Sequence, residues 1–92
     1  MREQDLINKA IKVNGALQLL KTAEECAELN QAIVKYVFKP TAENEQRIIE
    51  EAGDVLVTIN YVRSILGDLN VRRAKKNSYD NLKKSLEGET DE

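Results

Sequence analysis

A single proline, Pro40, stands between two long runs of helical period, and four glycines are all that otherwise interrupt 92 residues. A chain with so few breakers has little means of building the tight turns of a sheet, so it must fold as a few long helices. The Lys39-Pro40-Thr41 step is the natural place for the two longest to reverse against each other. The period places a first helix at about Glu3 to Asn14, with Leu6, Ile7, Ala10 and Ile11 on one side and Gly15 at its end. A second, from near Ala16 to Phe38, carries Leu19, Leu20, Ala23, Cys26, Ala27, Ile33, Val34 and Val37. A third, N-capped by Thr41 and closed by Gly67, carries Ile48, Ile49, Ala52, Val55, Leu56, Ile59, Val62 and Leu66. A fourth spans about Val71 to Leu86 with a weaker pattern of Val71, Ala74, Tyr79, Leu82 and Leu86. The expected fold class is all-α: an antiparallel helical hairpin with short flanking helices. It forms one domain over residues 1–87, followed by a frayed acidic tail at 88–92.

Ninety-two residues enclose only a small core, so self-association into a homodimer or homotetramer is expected. A net charge of −2 with both signs intermixed lacks the basic footprint of a protein that binds nucleic acid polymers. No apolar run is long enough to span a bilayer, no signal-peptide pattern opens the chain, and a lone cysteine, Cys26, cannot close an internal disulfide. No membrane partner is therefore expected, and the expected location is cytoplasmic. With no histidine in the chain, Cys26 has no partner to make it a nucleophile and reads as a small apolar residue.

Chemistry is concentrated in two acidic strings. EECAE supplies Glu24, Glu25 and Glu28 to the second helix, and EAGD supplies Glu51 and Asp54 to the third. Residues three apart on a helix stand about 60° from each other, so Glu25 with Glu28 and Glu51 with Asp54 each make a pair of carboxylates able to grip a hard cation. The reversal at Pro40 can set the pairs face to face, an arrangement suited to magnesium and phosphate chemistry. On the second helix these glutamates fall opposite the main apolar stripe, so the site needs another wall. A plainer reading makes them a solvated face, with Lys21 paired to Glu24 and Glu25 at helical spacing. Against it stands the crowding of like charge, Glu24 with Glu28 one turn apart, which a cation would relieve.

EECAEL followed after one connection by EEAGDVL resembles the MazG-like all-α nucleoside triphosphate pyrophosphohydrolases, whose signature is EExxE, a spacer, then ExxD. The likeness takes in NKAIKVNGALQLL, EECAELNQAIVKY and IIEEAGDVLVTINYV and is closest to the short single-domain members. It implies Glu25, Glu28, Glu51 and Asp54 as ligands of Mg2+, with Mn2+ a possible substitute, and Glu24 as a further ligand or the catalytic base that orients water. It implies a nucleoside triphosphate substrate cleaved between the α and β phosphates to a monophosphate and pyrophosphate. Gln18 resembles the family's amide near the nucleotide, Lys21 is a second expected substrate-binding residue, and Lys75 is the one member of the Arg72, Arg73, Lys75, Lys76 cluster that matches the family's basic positions. Asn30, an amide on an apolar stripe, is another group to account for. The rival readings are a phosphoribosyl-ATP pyrophosphohydrolase of the same superfamily and a non-catalytic helical interaction module.

Overall fold

The computed structural model describes residues 1–90, with side chains to Gly88, and Asp91 and Glu92 of the expected acidic tail lie outside the described residues. Four α-helices follow in order: α1 (Glu3–Asn14), α2 (Leu19–Phe38), α3 (Ala42–Leu66) and α4 (Asp68–Thr90), with a short 3-10 turn, Gly15–Gln18, between the first two. The described residues contain no strand.

Each boundary has a local cause. α1 opens where the Arg2 backbone N–H donates to Asp5 Oδ2 at 3.2 Å, and it ends at Gly15, whose φ of 59° an L side chain rarely adopts. The α2–α3 reversal is tied from both sides: Thr41 Oγ1 accepts from the Asn44 backbone N–H at 3.1 Å, and Asn44 Nδ2 donates to the Lys39 carbonyl at 2.8 Å. The expected N-cap at Thr41 is therefore in place. α3 stops at Gly67, with φ 104°, where an added Cβ would come within 2.8 Å of Asn70 Nδ2. Asp68 then opens α4 at once, bridging Arg63 on α3 and Arg72 on α4. This bridge brings the start of the fourth helix forward to Asp68, three residues before the periodicity alone would place it, and makes α4 a long arm of 23 residues.

α2 and α3 form the antiparallel hairpin expected from the Pro40 break, but not along the stripe that is richest in apolar residues. The seam of α2 against α3 is Thr22, Glu25, Leu29, Ala32 and Tyr36, spaced alternately by three and four, and every one is buried or half-buried. Its counterpart on α3 is Glu51, Val55, Thr58, Val62 and Ile65, again at alternating spacing and again withdrawn from solvent. This is the spacing of knobs-into-holes packing between antiparallel helices. α1 lies against the far end of α3, where Ile7 is buried and Gln4 Nε2 donates to Ser64 Oγ at 3.2 Å. Leu20, Ala23, Ala27, Val34 and Val37, most of the apolar stripe of α2, face outward.

A candidate metal centre between α2 and α3

Five of the described residues are buried, and three of them, Thr22, Glu25 and Thr58, are polar and adjoin one another across the α2–α3 seam. Thr22 Oγ1 donates to the Thr58 carbonyl at 2.8 Å, and Thr58 Oγ1 donates to the Val55 carbonyl at 3.0 Å. Thr22 lies one turn before Glu25 and Thr58 one turn after Asp54, so this hydrogen bond fixes the register that sets one acidic string opposite the other. The wall that α2 requires is α3 itself.

The carboxylates converge. Glu24, Glu25 and Glu28 each present a ligand oxygen within 4.8 Å of the others, and so do Glu25, Glu51 and Asp54. Glu25 belongs to both groups and stands at the centre. The two oxygens of one octahedral magnesium site are about 3 Å apart when adjacent and about 4.2 Å when opposite, so the second group lies a small side-chain adjustment away from such a site. Glu25 is only 6% exposed, and Oε2 of Glu25 and Oε2 of Glu51 are buried without a hydrogen-bond partner. Burying acceptor oxygens of ionisable groups without a donor is costly, and a divalent cation is the partner that satisfies several at once. The donor set is all oxygen, which suits magnesium or manganese and disfavours soft metals. Proximity also raises the pKa of Glu28, chiefly through the negative charge of Glu25 and then through the neighbouring carboxylate of Glu51.

The model of the MazG nucleotide pyrophosphohydrolase domain matches residues 15–77, a stretch that holds both acidic strings and the turn between them. The chain belongs to this family. No curated protein and no solved structure matched it. MazG-type domains are nucleotide pyrophosphohydrolases and typically depend on a metal, and the acidic cluster here fits that chemistry.

The remaining residues singled out from the sequence fall at different distances from this MazG-type cluster. Lys21 Nζ lies 3.1 Å from Glu25 Oε1 and 3.6 Å from Glu24 Oε2, and these carboxylates, Glu25 foremost, raise its pKa. With Glu25, Asp54, Val57, Thr58 and Tyr61 it lines a groove of about 320 Å3 beside the cluster. Glu24 sits on the solvent side of α2 with its side chain 57% exposed. Gln18, at the end of the 3-10 turn, accepts from Nδ2 of Asn14 at the end of α1 at 2.6 Å, and Asn30 is exposed among the outward apolar residues of α2. Lys75 lines a different groove, of about 400 Å3, with Ile59, Arg63, Val71 and Arg72. At about 100° per residue, Ile59 and Arg63 lie on the face of α3 opposite Asp54, Thr58 and Tyr61, so the groove of Lys75 and the groove of Lys21 open on different faces of α3. Thr22 and Tyr61 escaped the sequence reading. Thr22 follows Lys21 directly at the three-residue spacing before Glu25, a signal that points at the seam only once its partner helix is known.

Proposed function

We propose that this MazG-type protein hydrolyses nucleoside triphosphates between the α and β phosphates, releasing a nucleoside monophosphate and pyrophosphate, and so disposes of unwanted nucleotides. The observation that carries the reading is the convergence of Glu25, Glu51 and Asp54 at a point where two carboxylate oxygens are buried without a donor. Glu25, Glu28, Glu51 and Asp54 hold the cation, Mg2+ with Mn2+ as substitute. Such an ion supplies charge neutralisation for a phosphate chain and acidifies water.

The chain's own groups do the rest. Glu25 and Glu51, held by the packing of two long helices, offer negative oxygens already gathered near the positions an ion requires. Glu24, exposed at the edge of the cluster, can orient water and accept its proton, which leaves no need for a protein nucleophile. The groove bounded by Lys21, Asp54, Val57, Thr58 and Tyr61 is the place for the nucleotide, with the ammonium of Lys21 to meet phosphate. Gln18 and Lys75 are further substrate contacts on this reading, and Lys75, which lines a separate groove of its own protomer, would serve the site of another subunit.

The active unit is a homodimer or homotetramer. A folded monomer of 10.4 kDa exposes about 5,400 Å2, whereas this protomer exposes 7408 Å2. Its radius of gyration, 16.6 Å, likewise exceeds the roughly 12 Å of a compact chain of this length. The outward seam Leu20, Ala23, Ala27, Asn30, Val34 and Val37 on α2 repeats the three-four spacing of the inner one, and Ile49, Ala52, Leu56 and Ile59 do the same on α3. Two hairpins stacked by these seams make a four-helix bundle. Within it, Asn30 is a polar residue of the kind that fixes register in a helical interface.

The test is a panel of nucleoside triphosphates incubated with purified protein and magnesium, with the products separated and identified. Pyrophosphate together with the monophosphate is expected, and loss of turnover in Glu51→Gln. Orthophosphate as the sole inorganic product would refute the assigned bond.

A further inference from the structure

A cation already stands at the acidic cluster. Lys21 Nζ contacts Glu25 Oε1 at 3.1 Å, and Glu25 is the carboxylate common to both convergent groups and the most buried acid among the described residues. Lysine therefore neutralises the least exposed carboxylate among the described residues, leaving its Oε2 without a partner. The ammonium end is not locked in place. Its side chain is 48% exposed, and it borders the groove that Glu25, Asp54, Val57, Thr58 and Tyr61 complete.

Glu25, Glu51 and Asp54 would hold a divalent ion, whose charge would compensate the carboxylate that holds this lysine and repel the ammonium from the same few ångströms. Lysine is a point charge on a flexible four-carbon stem, so a rotation about that stem is enough to leave Glu25. The nearest place to go is the groove, where a phosphate chain would offer new negative oxygens. We propose that Lys21 is a placeholder cation: it neutralises Glu25 while the site is free of metal, yields to the divalent ion, and then turns onto the phosphates of the bound nucleotide. This rests on the metal and substrate assignments above. One side chain then imposes an order, ion first and nucleotide second, because the lysine is available to phosphate only after the ion has displaced it.

The exchange is tested by calorimetric titration of Mn2+ into the wild type, Lys21→Met and Lys21→Arg, without nucleotide. A second titration uses an α,β-methylene nucleoside triphosphate, with and without Mn2+. Lys21→Met keeps the length of the stem, and retained helicity by circular dichroism confirms the fold. The expected result is Mn2+ binding about three- to tenfold tighter in Lys21→Met, the scale of one lost competing ion pair. It should be weaker than wild type in Lys21→Arg, whose planar fork grips a carboxylate more firmly. The analogue should bind Lys21→Met about three- to tenfold more weakly in Mn2+ and no differently from wild type without it. Mn2+ binding unchanged or weakened in Lys21→Met overturns the exchange, and an analogue affinity that depends on Lys21 equally with and without the ion overturns the handover. A wild type that takes up no Mn2+ removes the metal assignment itself, a failure distinct from a wild type that binds the ion with the same affinity as Lys21→Met.

Discussion

Leu56→Lys separates a protomer that stands alone from one that is half of a bundle. Leu56 is 71% exposed and lies at the middle of the outward α3 seam, between Ala52 and Ile59. Were the protomer the working unit, lysine there would be an ordinary surface change, within about 0.5 kcal/mol of neutral. In a bundle closed by the outward seams, each protomer buries this leucine. Full burial of a leucine is worth about 1.5–3 kcal/mol, so the exposed share contributes about 1–2 kcal/mol per chain. A symmetric interface counts it twice, which makes about 2–4 kcal/mol, or a dissociation constant raised about 30- to 1,000-fold, before the added cost of desolvating two ammonium groups. Sedimentation equilibrium over a hundredfold range of concentration reads the change directly. Wild type should sediment at two or four times the 10.4 kDa chain mass, with a melting temperature that rises with concentration, and Leu56→Lys should shift towards the monomer and melt earlier. Wild type that sediments at the chain mass with a concentration-independent transition, and a variant that matches it, would refute the reasoning.

Other outcomes follow from single contacts. Thr22→Val removes the donor to the Thr58 carbonyl and should cost about 1 kcal/mol, a drop of roughly 4–8 °C in melting temperature for a domain of this size; scanning calorimetry reads it, and an unchanged transition contradicts the register role. Glu51→Gln relieves like-charge crowding, so without ions its melting temperature should rise while the stabilisation of wild type by Mn2+ disappears; a variant still stabilised by Mn2+ would remove Glu51 from the ligand set. The raised pKa of Glu28 means the folded state holds that proton more tightly than the unfolded chain. Metal-free stability from this group is fully present below the unfolded value, and is lost as pH climbs through the higher folded one. Saturating Mn2+ should flatten that decline, and a metal-free curve already flat across the acidic range speaks against the coupling. Asp68, lowered first by its hydrogen bond to Arg63, acts in the opposite sense: its contribution is present above the unfolded pKa and lost as pH falls through the folded value, a dependence that Asp68→Asn should erase.

Sequence periodicity captured the helices best where an end has a residue that does a specific job: Gly15 and Gly67 at positive φ, Thr41 as a cap, Pro40 at the reversal. It missed the start of α2, expected near Ala16, where a 3-10 turn over Gly15–Gln18 delays the α-helix to Leu19 with no side chain to cap it. It captured the two acidic strings because spacing on one helix is local information. What it did not reveal is which face of α2 turns inward. Leu19, Leu20, Ala23, Cys26, Ala27, Ile33, Val34 and Val37 outweigh Thr22, Glu25, Leu29, Ala32 and Tyr36 in hydrophobicity, so the wheel places the core along the former. The structure places the latter against α3. A helix with two seams cannot be resolved by its apolar moment, since the seam that binds a second copy can be the greasier one. The full length of α4 was hidden for another reason: the bridge from Asp68 to Arg63 and Arg72 is a tertiary contact, visible only when α3 and α4 meet.

This inversion has a physical logic. A pair of helices joined by a hydrophobic seam alone would have no reason to bury Glu25 at its centre, and a pair joined only by acids would repel. The α2–α3 seam mixes them: Thr22 to Thr58 and the small Ala32 bring the backbones close beside a carboxylate cluster whose one ion-pair partner among the described residues is Lys21. The outer apolar seams then act on the same two helices from the opposite side. If a bundle forms as proposed, its packing presses α2 and α3 together against the repulsion within their own interface, and an ion in that interface removes the repulsion. Ion and partner thus favour the same arrangement of the hairpin, which links the two free energies and makes each bind more firmly in the presence of the other. The linkage is measurable: the dissociation constant of the wild-type oligomer should fall when Mn2+ is added, and Glu51→Gln should lose that response while still assembling. Equal dissociation constants with and without saturating Mn2+ would mean that the inner and outer faces of the hairpin act independently.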